Sequence, residues 1–161
     1  MKIIEYRKEF EESMIRLILS IQNDEFGIPV TINDQPDLQT VGSFYQTGKG
    51  NFWIAVKDGE VVGTISIKDI GADGVALRKM FVHPAYRGKQ AGVARQLLQT
   101  VFDWGEAKAL KDIYLGTTDK FLAANRFYEK HGFQRVDQAA LPDTFPLMKV
   151  DSIFYHYTFA R

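Results

Sequence analysis

The hydrophobic period changes partway along this chain, and that change limits the fold more than any other feature. Residues 51–56 (NFWIAV) form a continuous apolar run, the pattern of a strand buried on both faces. Asp58-Gly59 follows, a pair that tolerates the positive φ angles of a two-residue hairpin turn. Residues 61–68 then alternate, with Val61, Gly63, Ile65 and Ile67 on one face. Gly71 and Gly74 mark another turn, and residues 75–82 continue as a strand. This is an antiparallel meander. From there the spacing of Val93, Ala94, Leu97, Leu98, Val101 and Trp104 predicts a helix over 90–104, followed by Gly105, and residues 112–116 predict a short strand. A strand, a helix and a strand in that order make a parallel crossover. The sheet is therefore mixed.

The flanks fit the same plan. Residues 2–6 read as a strand, and Phe10, Met14, Leu17, Ile18 and Ile21 recur at helical spacing. Pro29 and Pro36 interrupt that pattern before a short helix over 37–46. Thr118 or Asp119 can cap a helix that Gly132 ends, and strands follow at 133–136 and 152–159, separated by a loop with Pro142 and Pro146. The expected class is α/β (α+β): a mixed, mostly antiparallel twisted sheet of about seven strands with helices on both faces. With 161 residues, it is expected to form a single domain spanning 1–161.

Composition removes several function classes. Twenty basic residues balance twenty acidic ones, so no global positive field exists to hold a nucleic acid or an anionic membrane. Without cysteine there is no thiolate nucleophile and no zinc-thiolate site, and a cytoplasmic location fits. The opening MKIIEYRKEF lacks the apolar core of a signal peptide, and no window is long and apolar enough to span a membrane. The histidines at 83, 131 and 156 lack metal-ligand spacing, so no metal is expected. Twelve phenylalanines raise a homodimer interface as an expectation.

The neutral total hides an asymmetry. Between Gly74 and Phe102 stand Arg78, Lys79, Arg87, Lys89 and Arg95 with no acid, whereas residues 5–37 hold eight acids against three bases. Within the basic stretch, a strand ending at His83-Pro84 passes through Arg87-Gly88-Lys89-Gln90-Ala91-Gly92 into a helix. Glycines there let a ligand approach the backbone, the helix start offers unpaired N–H groups, and the cations add charge, which together suit a phosphate or pyrophosphate. A tight turn and close helix–sheet packing also call for such glycines. The segment is neither G-x-x-x-x-G-K-[ST] nor G-x-G-x-x-G, which argues against a nucleoside-triphosphate hydrolase or a dinucleotide dehydrogenase.

This loop resembles the acyl-CoA-binding motif Arg/Gln-x-x-Gly-x-Gly/Ala of the GNAT superfamily of N-acetyltransferases, with Arg87 first, Gly92 last and Gln90 in place of the middle glycine. AANRFYEKHGF at 123–133 is similar to the family's closing helix and strand, A-x-x-F-Y-x-K-x-G-F. The asparagine that many members carry seven residues before the tyrosine is Phe121 here. The resemblance implies acetyl-CoA as co-substrate, held by Met80, Phe81 and Val82 on one splayed strand, by Arg87, Gly88, Lys89, Gln90, Ala91, Gly92, Val93 and Ala94 in the loop and helix start, and by Thr117 and Phe121 across the cleft. It implies direct attack by an amine of a small molecule or protein in a ternary complex, with Tyr128 donating to the departing CoA sulfur. A core position is the other reading of Tyr128.

The glutamate that many relatives place near the start of the cofactor-binding strand is replaced at the comparable place by Ala76 or Arg78. Glu25, in the acidic segment after the first helix, is the candidate for acceptor binding or for the base, against the alternative of a solvated loop carboxylate. The loop 141–151 is a candidate wall of the acceptor pocket. Two other readings stay open: a non-catalytic acyl-CoA sensor and a binder of nucleotide phosphates.

Overall fold

The computed structural model describes residues 1–88 and 90–160. Its strands are β1 (Lys2–Glu5), β2 (Asn51–Lys57), β3 (Glu60–Gly71), β4 (Gly74–Val82), β5 (Asp112–Thr117), β6 (Gln134–Val136) and β7 (Ile153–Thr158). They make one seven-stranded sheet of order β1-β2-β3-β4-β5-β7-β6. Every pairing is antiparallel except β4 with β5. The helices are α1 (Glu11–Leu19), α2 (Val41–Phe44), α3 (Val93–Ala107) and α4 (Leu122–Lys130).

Asp58 and Gly59 take φ of 52° and 78°, as the hairpin turn between β2 and β3 requires. The apolar stripe of α1 buries Met14, Leu17 and Ile18, which join Leu38, Tyr45 and Phe52 in a core on one face of the sheet. On the other face, Leu97, Leu98 and Val101 of α3 and Tyr128 of α4 pack with Ile65, Leu77, Leu115 and Tyr155. Helices thus cover both faces.

Local structure departs from the sequence expectation at four places. The chain expected to form one helix over 37–46 is a 3-10 turn, Pro36–Gln39, followed by α2, with Thr40 at φ −135° breaking the run. The helix expected to begin near Gln90 begins at Val93, capped by Gly92 at φ +64°, a reversal that glycine makes without a Cβ penalty. Gly105 does not stop α3, which runs on to Ala107; a Cβ there would lie 2.2 Å from Phe159 Cζ, so glycine serves packing. Neither Thr118 nor Asp119 caps α4; its N-cap is Phe121, while Thr118 O accepts from Phe121 N (3.2 Å) in the turn before it.

Candidate active site

β4 and β5 are paired only at Gly74–Asp112, Val75–Ile113 and Ala76–Tyr114. Beyond Ala76 they part, while β5 stays bonded to β7 as far as Thr117. A β-bulge in β4 lies beside this opening: Lys79 and Met80 face the single residue Ile65, between the pairs Ser66–Arg78 and Thr64–Phe81. Lys79 has φ +54°. Two hydroxyls of β3 hold the bulge, with Ser66 Oγ donating to Arg78 O (2.7 Å) and Thr64 Oγ1 to Lys79 O (2.6 Å).

The opening leads into a cavity of about 360 Å³ walled by Met80, Phe81 and Val82 of β4, Arg87 and Gly88 of the loop, and Phe121 and Ala124 of the α4 segment. Ile21 and Phe26 close it from the α1 side, where Phe26 meets Phe121 edge-on at 4.8 Å between centroids. A cleft of about 130 Å³ continues between the parted strands, shares Met80, Phe81, Phe121 and Ala124 with that cavity, and reaches Tyr128, Thr117, Arg78 and Asp151. A narrow space between parted strands, apolar along Met80, Phe81, Phe121 and Ala124, suits a thin flexible arm. The unpaired stretch of β4 lies along its wall.

Most residues expected to hold the cofactor therefore line one continuous space. Met80, Phe81, Val82, Arg87, Gly88, Ala94, Thr117 and Phe121 border it. Gln90, Ala91, Gly92 and Val93 form the turn and first helical residue beside it, while Lys89 lies outside the described residues. Gly88 has φ +100° with nothing within 4 Å of where a Cβ would stand, and Gly92 N donates to Gly88 O (3.1 Å). This leaves the loop's surface open to a ligand.

Tyr128 is 5% exposed, and among the described residues its hydroxyl has no hydrogen-bond partner. Burial pushes its phenol above the ordinary value, so it stays protonated at neutral pH. Asn125, one turn earlier, is buried; its Nδ2 donates to Thr118 O (3.1 Å), which steadies the turn into α4.

Glu25 faces the loop that joins β4 to α3. Arg87 Nη1 and Nη2 (the latter at 2.7 Å) both donate to its carboxylate, and Arg87 Nε donates to Val82 O (2.8 Å). The guanidinium hydrogen bond holds the Glu25 carboxyl below the usual range, which makes it a poor base. Its geometry ties it to Arg87 of that loop.

On the α1 face of the opening stands a polar cluster that sequence reasoning missed. Tyr45 OH donates to Asp37 Oδ2 (2.6 Å) and accepts from Arg78 Nε (3.0 Å). Lys79 Nζ donates to Gln35 Oε1 (2.5 Å), and the side-chain amides of Gln35 and Gln22 bond each other (2.8 and 3.0 Å). Burial draws the Lys79 ammonium down to about 8, against the pull of Asp37. Asp151, from the loop expected to border the acceptor pocket, lies across the cleft against Gly116. The signals for this cluster were the acid-free run around Arg78 and Lys79 and the late loop, but nothing local joins them.

Among the described residues no group of three or more His, Asp or Glu could hold a metal ion, and no helix is long and apolar enough to cross a membrane.

Comparison with known proteins agrees with this geometry. The model of the Acetyltransferase (GNAT) family matches residues 15–133. The N-acetylaspartate synthetase of Xenopus tropicalis is 36% identical over 102 residues, 62% of this chain and 37% of that protein. The chain spans 36–42% of the length of the first such relatives it matches. The crystal structure of an acetyltransferase of the GNAT family from Staphylococcus aureus Mu50 superposes with a TM-score of 0.93 at 38% identity, over 98% of both chains. The PaiA N-acetyltransferase of Thermoplasma acidophilum, solved in complex with coenzyme A, shares the fold with a TM-score of 0.73 at 19% identity. A strand pair that parts beside a glycine-bearing loop, in a chain matched by this family model over most of its length, makes the protein a member of the GNAT family of N-acetyltransferases.

Proposed function

We propose that this chain moves the acetyl group of acetyl-CoA directly to an amine of a small molecule or protein, with both substrates bound together and no acyl-enzyme. The chain has no cysteine to carry a thioester, which favours a direct route. Acetyl-CoA supplies the activated acetyl carbon. Met80, Phe81 and Val82 line the wall along which its arm would lie, and the loop from Arg87 to Ala94 faces its phosphates. Tyr128 donates to the sulfur as the C–S bond breaks.

The observation that carries this reading is the Tyr128 hydroxyl, which borders the cleft without a partner among the described residues. A phenol raised by burial remains a donor at the pH where a thiol near pKa 8.5 leaves. Tyr128→Phe tests it through release of free CoA in the presence of an amine. Turnover is expected to fall by roughly 10²-fold or more, the lower end of general-acid effects, with CoA affinity retained. Unchanged turnover would remove Tyr128 from the reaction. A wild-type chain that binds CoA but acetylates no amine would instead be a cofactor sensor, a reading to which the missing strand glutamate at Ala76 or Arg78 lends support.

A further inference from the structure

We propose that Arg78 and Asp151 form the acceptor subsite, and that the acceptor is a small amino acid whose carboxylate lies on Arg78 and whose ammonium lies on Asp151. The inference rests on the direct-transfer reading above and names the substrate class for it.

Arg78 is a half-buried cation with an unfinished outer edge. Its side chain is 13% exposed, and its inner nitrogen is held by Tyr45, itself tied to Asp37. The outer nitrogens have only long contacts: Nη1 to Met148 Sδ at 3.8 Å and Nη2 to Asp37 Oδ2 at 3.8 Å. A half-buried guanidinium held this way presents two parallel donors, and a carboxylate matches that fork.

Asp151 is its counterpart across the cleft. Ser152 N donates to Thr117 O (2.9 Å) and Met148 N to Asp151 Oδ2 (3.0 Å), which pins the carboxylate at the end of β5. Gly116 makes room for it, since a Cβ there would come within 2.5 Å of Oδ2. Among the described residues Oδ1 accepts no hydrogen bond. Burial raises the Asp151 carboxyl, with Arg78 and the Met148 N–H acting in the opposite sense.

Lys79 also lines this cleft, but its Nζ is turned to Gln35 and Asp37. Arg78 and Asp151 are the opposite charges left to a ligand, and such a pair matches a zwitterion better than a simple amine or a dianion. The cleft of about 130 Å³ holds roughly four waters' worth of volume, which restricts the part of the acceptor that enters it. Tyr128 borders the same cleft from the opposite face of the sheet, so amine and thioester meet between Asp151 and Tyr128.

The proton balance closes with these groups. The Asp151 carboxylate takes one proton from the acceptor ammonium, and the freed nitrogen lone pair forms the N–C bond to the acetyl carbon of acetyl-CoA. The C–S bond breaks with its electrons on sulfur. Tyr128 gives its proton to the sulfur and recovers one from the nitrogen, leaving the amide, and Asp151 returns its own proton to solvent.

The test measures CoA release with the proteinogenic α-amino acids, their carboxamides, simple alkylamines and a lysine peptide. It is read beside thermal melting with the same compounds in the presence of CoA. At least one amino acid is expected to be acetylated, with kcat/KM about tenfold or more above that of its carboxamide, the size of one lost charged contact. Arg78→Lys is expected to raise KM for the amino acid and to shrink that ratio. Asp151→Asn is expected to lower kcat by about 10²-fold or more with CoA binding kept. Gly116→Ala, which displaces the carboxylate while leaving β5 paired, is expected to act in the same direction. Equal use of carboxamides and alkylamines, or full turnover in Asp151→Asn, overturns the subsite while transfer stands. Arg78-dependent protection by an amino acid without any CoA release upholds the subsite and overturns direct transfer. Neither protection nor release overturns both.

Discussion

Replacing Glu25 by glutamine removes an ion pair that engages Arg87 where the cofactor's phosphates are expected. All three guanidinium nitrogens are occupied, Nε by Val82 O and both Nη by the Glu25 carboxylate. A phosphate that binds Arg87 must displace Glu25 or share the guanidinium with it. The two side chains are 38% and 32% exposed, so the pair belongs to the class worth about 0.2–1 kcal/mol. That energy opposes cofactor binding, and Glu25→Gln returns it, tightening the CoA dissociation constant by up to about fivefold. Isothermal titration with CoA reads this directly. The gain should shrink as salt rises, because the screening length falls from roughly 30 Å at 0.01 M to 3 Å at 1 M. The pH dependence has a definite sign. The Glu25 carboxyl is lowered by Arg87, so the pair's contribution to stability is complete above about pH 4.3 and is lost as pH falls through the lower native value. Weaker CoA binding in Glu25→Gln, matching Arg87→Gln, would refute the reasoning: the pair would then be a strap that holds the cavity wall in place.

Three further outcomes follow from the same contacts. CoA at about 100 times its dissociation constant should add roughly 2.7 kcal/mol and raise the melting temperature by about 5–11 °C, with no shift from ATP; equal shifts would favour a general phosphate binder. Gly105→Ala places a methyl 2.2 Å from Phe159 Cζ and should cost about 1–3 kcal/mol, a fall of roughly 2–12 °C read by thermal melting. Lys79, drawn down to about 8 by burial, sheds its proton in the native state before the unfolded state does, so wild type should gain stability relative to Lys79→Met between about pH 8 and 10, by at most about 1.4 kcal/mol per pH unit in urea melts.

What was legible in the sequence was written in local period and turn chemistry. Asp58-Gly59 announced the hairpin because both φ values are set by the residues themselves, and the α3 stripe of Leu97, Leu98 and Val101 announced its buried face. The strand, loop and helix order around Gly88 pointed to a phosphate-type site, and the walls of the cavity beside it followed from the resemblance to the GNAT superfamily. Gly105 misled because its reason is tertiary: the ring it accommodates, Phe159, lies far along the chain. Glu25 was picked out as an acid in an acidic segment, but its partner Arg87 becomes visible only in three dimensions. Asp151 was hidden in a loop whose position depends on the Ser152–Thr117 backbone bond.

The bulge at Lys79 shows why the acceptor side was the hardest part to read. In a regular strand Lys79 would share the face of Val75 and Leu77, inside the apolar core under α3. The extra residue resets the alternation. Met80 and Val82 keep to the α3 face, Phe81 packs on the α1 face, and Lys79 joins Arg78 among Gln35, Asp37 and Tyr45. A lysine at φ +54° costs about 1–2 kcal/mol. The hydrogen bonds from Thr64 and Ser66 to the bulge carbonyls contribute about 0.5–1.5 kcal/mol each, enough to offset it. Neither Lys79 nor Met80 favours the left-handed conformation, so the device is set by hydroxyls on the neighbouring strand. Its result is two adjacent cations on one face of a strand that bounds the cleft, at the point where that strand leaves its parallel neighbour.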